Sequence, residues 1–234
     1  MIKRLIALIT FIFISFNSHT QKIDYSLWTS FLEKNVTSNG KINYKAIKED
    51  EADLKIYLNQ FIKTPPQDSW SKNEILAYWI NAYNAFTIKL IVDNYPVKSI
   101  KDIKKPWDKK FIPIDGDIIS LNYIEHDILR KMNEPRIHFA IVCASFSCPK
   151  LLNKAYTSNN LDNQLTQATK DFLKDSHKNK ISEDSLELSK IFQWFTNDFK
   201  QNGSLIHFLN QYSNIKISEK AKVEYKDYNW NLNE

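Results

Sequence analysis

The chain has 234 residues, 43% hydrophobic and 13% aromatic, enough to bury a full-sized core, and it is expected to form one domain. Its net charge of +5 is a mild excess spread along the chain, which excludes the basic stripe of a nucleic-acid binder. Three glycines and seven prolines exclude long flexible or low-complexity segments.

Lys3 and Arg4 precede an uncharged run from Leu5 to Phe16, followed by Ser18 and Thr20. This is the order of a secretory signal peptide over residues 1–20, and the run is short for a membrane span. The expectation is an exported protein, periplasmic or extracellular, with residues 21–234 as its single domain. A membrane enters only if the leader stays uncleaved.

Tyr25 to Lys34 reads as a short helix with Leu27, Phe31 and Leu32 inward. Asn39-Gly40 marks a turn, Lys41 to Tyr44 an extended piece, and Ala46 to Ile62 an amphipathic helix ended by Pro65-Pro66. Ser71-Lys72-Asn73-Glu74 is a capping box. It starts the strongest helix, residues 73–94, which is apolar around most of its circumference and so is expected to be central and buried. Asn81 and Asn84 share one face of it. A buried amide without partners costs about 1–3 kcal/mol, so both must meet polar groups, in a structural network or at a site.

Asp115-Gly116 lies between short apolar runs and signals a hairpin. Ser120 caps a helix, LNYIEHDILRK, whose inner side holds Glu125 and whose flank pairs His126 with Arg130. Ile137 to Val142 reads as a buried strand opened by His138. Pro149 suits a first helical position, which puts Cys148 at a helix N-cap, where unpaired N–H groups favour a thiolate. Cys143 lies in the same turn, and an exported protein permits a disulfide between the two. The plainer reading of this turn is a core connection with a structural thiol pair. Leu161 to Lys174 is an amphipathic helix; Ile181 to Leu188 contains a hairpin. Helices follow from Ser189 and Ser204, with Trp194 and its neighbours read as core, and Val223 to Tyr225 is a late strand. The sum is a helix-rich α+β domain, a central buried helix against a small, mainly antiparallel sheet.

Several stretches together resemble the family catalogued as domain of unknown function 547: YWINAYNAFTI at 78–88, FIPIDGDIISLNYIEHDILR at 111–130, RIHFAIVCASFSCPKL at 136–151, IFQWFTNDF at 191–199 and YNWNLN at 228–233. The last departs from the family pattern, with Asn229 where an aspartate is usual. The matched motifs carry Asn81, Asn84, Glu125, His126, Arg130, His138, Cys143, Cys148, Trp194 and Asp198. The resemblance implies exported bacterial relatives, and eukaryotic ones joined to glutaredoxin-like modules, a pointer to thiol chemistry. There is also a faint likeness to papain and transglutaminase architecture.

Three functions are weighed. The leading one is a cysteine-dependent hydrolase or acyltransferase with Cys148 as nucleophile. His126 or His138 would be its base, Glu125, Asp198 or Asn84 would orient that base, and N–H groups of the turn would hold the oxyanion. The second is thiol–disulfide exchange by Cys143 and Cys148, four residues apart rather than the two of the thioredoxin motif. The third is a non-catalytic envelope module for a small molecule, peptide or glycan, with the cysteines as a staple. Zinc on His138, Cys143 and Cys148 fits no common spacing, so no metal or cofactor is expected.

Overall fold

The computed structural model describes residues 23–234. The leader expected over residues 1–20 lies outside them. Helices α1 (Ser26–Asn35), α2 (Tyr44–Glu49) and α3 (Ala52–Lys63) open the chain, and α2 and α3 pack on α4 (Lys72–Asn94). The single helix expected over residues 46–62 is two. Asp50 adopts extended backbone and accepts a hydrogen bond from the Ala52 N–H at 3.2 Å, restarting the helix. The Asn39-Gly40 turn is present, with Gly40 in left-handed backbone (φ +81°).

The capping box forms as expected: Glu74 accepts the Ser71 N–H at 2.8 Å, and the Ser71 hydroxyl accepts the Glu74 N–H. From Leu76 to Ile88 every residue of α4 is buried, which explains its all-round apolar sequence. Long and apolar enough to span a bilayer, this helix is instead wrapped by protein.

Strands β1 (Ile112–Ile114) and β2 (Asp117–Ile119) form the expected hairpin, with Asp115 and Gly116 both at positive φ. From Tyr123 to Leu129 the next helix widens to five-residue turns and then tightens at Arg130–Met132. Helix α5 (Leu161–Lys174) follows. β3 (Lys180–Ile181), β4 (Ser185–Leu188) and β5 (Lys222–Tyr225) make a second sheet, antiparallel between β3 and β4 and parallel between β4 and β5. Between β4 and β5 run α6 (Lys190–Trp194), α7 (Thr196–Phe199) and α8 (Leu205–Tyr212). One hydrophobic cluster surrounds α4 and a smaller one lies among α5, α8 and the second sheet. The domain is α+β, as the sequence implies.

Two local expectations fail. Residues 137–142 are not a strand. Pro135 and the Glu134 side chain, which accepts the Arg136 N–H, start a tight 3-10 turn over Pro135–Phe139. The groups a neighbouring strand would pair are met by one side chain: Asn84 donates to the Ala140 carbonyl and accepts from the Val142 N–H, each at 2.9 Å. Nor does a helix begin at Cys148. Residues 149–157 run irregularly over α4 and the Gly40 turn, where a Cβ on Gly40 would lie 2.5 Å from Lys150 Cβ. Asn81 holds this run as Asn84 holds the other, donating to the Tyr156 carbonyl at 2.7 Å and accepting its N–H at 3.0 Å.

Candidate functional site

The chain's last segment decides where a site can form. Asn229 to Asn233 crosses back over the whole domain, bridging Ser99 through Asn231 and Ser145 through Leu232. Phe146 and Ser147 donate their N–H groups to the carbonyls of Asn231 (2.7 Å) and Asn229 (3.2 Å), and Ile42 donates to that of Asn233. Asn229 Oδ1 accepts the Asn231 N–H at 3.0 Å, a role that needs an oxygen and no charge, so this residue fills the usual aspartate's place in the turn.

The segment docks on a small ring closed by a Cys143–Cys148 disulfide, Cα atoms 6.2 Å apart. Within the ring Ala144 is in left-handed backbone (φ 56°), a strain of about 1–2 kcal/mol that ring closure and docking must hold. The Tyr228 hydroxyl lies 3.2 Å from Cys143 Sγ and donates to Cys148 Sγ at 3.4 Å. Burial pushes that phenol well up, so it stays protonated.

Between this ring, the wide turn and α6 opens a cavity of about 230 Å³. Trp107, Trp194, Phe195, Tyr228 and Trp230 form an aromatic wall; Glu125, His126, His138 and both cysteines complete the lining, with Tyr83 below. Trp194 is not core, as its sequence context implied. It is 46% exposed and stacks on Trp230 at 5.8 Å between centroids.

The polar groups are tightly ordered. Tyr83 donates its hydroxyl to Glu125 Oε2 at 3.0 Å, and burial together with the Glu125 charge raises the phenol far above its ordinary range. Asp198 receives Arg130 in a fork at 2.6 and 2.8 Å and the His138 Nε2 at 2.8 Å. Burial opposes its ionisation, but these donors prevail and hold the carboxyl well below the usual range. Arg130 also donates to His126 Nδ1 at 2.8 Å; because arginine cannot accept, that ring nitrogen is the acceptor. The His138 ring stacks on Phe195, centroids 3.9 Å apart.

Of the expected residues, Glu125, His126, His138, Cys143 and Cys148 meet at one cavity. Arg130 and Asp198 sit behind the histidines and fix them. Asn81 and Asn84 do not reach the cavity; each is 1% exposed with its amide used on loop backbone. The missing helix start deprives Cys148 of the dipole that was to stabilise a thiolate, and the bridge occupies its sulfur. Sequence reasoning missed Tyr83, Trp107, Tyr228 and Trp230. The last two carried a signal: in YNWNLN the alternation with asparagine sets Tyr228, Trp230 and Leu232 on one face of an extended segment.

No curated protein and no solved structure matches the chain. A family model does, over residues 67–173, a span that runs from α4 to α5 and takes in Glu125, His126, Arg130, His138 and the disulfide ring, with the aromatic wall mostly outside it. Residues 67–173 are thus similar to the family described as "Protein of unknown function, DUF547".

Proposed function

We propose that the protein is an exported binding module that holds a small ligand, or one unit of a larger one, in the aromatic cavity, with the Cys143–Cys148 bridge as part of the wall. The observation that carries this reading is the lining itself. An apolar pocket with a few convergent, pre-ordered polar groups is the usual form of a ligand site. A disulfide suits an oxidising compartment, and the docking of residues 229–232 on the ring gives it a structural task. The test is a screen of small ring compounds by ligand-observed NMR, repeated on Trp194→Ala. Compounds should bind the native protein and be lost in the variant; a screen in which no binder depends on Trp194 sinks the reading.

One observation favours a second reading. Both cysteines border the cavity, so a bound dithiol would reach the bridge. Exchange would pass two electrons from that dithiol to the disulfide, leaving Cys143 and Cys148 as thiols, and only then would Cys148 be available as a nucleophile. Thiol labelling after brief mild reduction at neutral pH tests this: a bridge that resists a dithiol unless the protein is unfolded excludes it.

A further inference from the structure

Resting on the reading of the cavity as a ligand site, we infer that its ligand is an organic cation, an alkylated ammonium whose carbon groups meet the aromatic wall and whose charge faces Glu125. The first observation is the charge of the lining. Among the described residues no lysine or arginine borders the cavity. Arg130 stands outside it, is paired with Asp198 and acts on Glu125 only at longer range; His138 turns its Nε2 to Asp198, and His126 accepts from Arg130. Glu125 is therefore the anion the cavity presents, and only half of its carboxylate is used. Oε2 takes the Tyr83 hydroxyl, while Oε1 has no hydrogen-bond partner among the described residues. A carboxylate in a mostly apolar pocket is costly unless something positive meets it.

The second observation is the wall. Aromatic faces are negative, and rings converging on one space attract a cation without needing an N–H donor from it. Two rings here already do so. Lys101 Nζ lies 4.2 Å from the Trp230 centroid, and the Arg130 guanidinium 5.3 Å from that of Phe195. Trp107, Trp194 and Tyr228 remain for a ligand. A neutral ring compound would use the wall and leave Glu125 unanswered; an anion would meet both with the wrong sign.

The experiment compares choline with 3,3-dimethylbutan-1-ol, which has the same shape with carbon in place of the charged nitrogen, by tryptophan fluorescence titration of the native disulfide-bonded protein. Choline should bind at least about tenfold more tightly than the uncharged alcohol. Glu125→Gln, which can still accept from Tyr83, should abolish most of that difference while leaving the melting temperature near native. Equal binding of the two compounds overturns the inference, and so does a preference for choline that survives Glu125→Gln. The native comparison stands even if the variant fails to fold. If ring compounds still bind through Trp194 and choline does not, the cation assignment falls alone; if neither binds, the ligand-site reading falls with it.

Discussion

Asn81 and Asn84 are the residues on which the two irregular stretches of the domain depend. Each turns its amide edge toward a single loop peptide or a loop bend and supplies one donor and one acceptor, the pair a strand neighbour would offer. Asn84→Ala would leave a buried carbonyl and a buried N–H unmet, and is expected to lower stability by about 2–4 kcal/mol in urea unfolding. Asn84→Asp should recover only part of that, since a carboxylate accepts from Val142 but cannot donate to Ala140. Asp198 makes a prediction with a sign. Its carboxyl is held low when folded, so its pairing stabilises above the ordinary aspartate value near pH 3.9 and is lost as the pH falls through the folded value. Asp198→Asn should cost about 2 kcal/mol at pH 7, between the values for exposed and buried ion pairs. In melts taken downward from pH 4 the gap between variant and native should close. A gap that is constant with pH would show that the ion pairing contributes nothing. The need for polar partners at both asparagines was legible from burial alone; which partners they meet was not, because loop backbone has no sequence pattern.

At the scale of elements, what could be read was whatever has a period or a cap. The helix at 72–94, the Asp115-Gly116 hairpin and α5 at Leu161–Lys174 follow from spacing and from Ser71, Glu74 and Gly116. The apolar run 137–142 misled because a buried strand and a buried turn have the same composition, and only the partner decides. Cys148 misled for a related reason: Pro149 permits a helix start without requiring one. The wide turn at Tyr123–Leu129 has no sequence signal, although such turns are frequent at functional sites, and here it carries Glu125 and His126. The disulfide ring is the element whose loss is easiest to measure. Closing so short a loop is worth about 2 kcal/mol, so Cys143→Ser with Cys148→Ser should lower the melting temperature by several degrees. Hydrogen exchange should then quicken at residues 229–232, where the N–H of Leu232 bonds Lys98 and Ser147 anchors Asn229, more than in α4. Uniform quickening would mean that the ring supports the fold at large and has no special hold on this segment.

The whole molecule is two packed clusters joined through residues 135–142, where Ile137 and Ala140 face the larger and Phe139 the smaller. The returning segment is a second tie: it leaves β5 in the smaller cluster and ends with Leu232, only 7% exposed, in the larger. Leu232→Ala should therefore act beyond its own volume, costing about 3 kcal/mol in global unfolding and weakening ligand binding through Trp230. Normal binding in a destabilised variant would separate the two effects and count against the tie. Because the wall residues Tyr228 and Trp230 come after every helix and strand of the described fold, the domain's parts are not made at the same time. A chain emerging N-terminus first has α4, the histidines and both cysteines in hand while the cavity still stands open on one side. For that interval the two sulfurs are uncovered, and any enzyme that pairs or reduces them can reach them. Once the final turn settles, Tyr228 stands against both sulfurs, and what reaches them must come by way of the cavity.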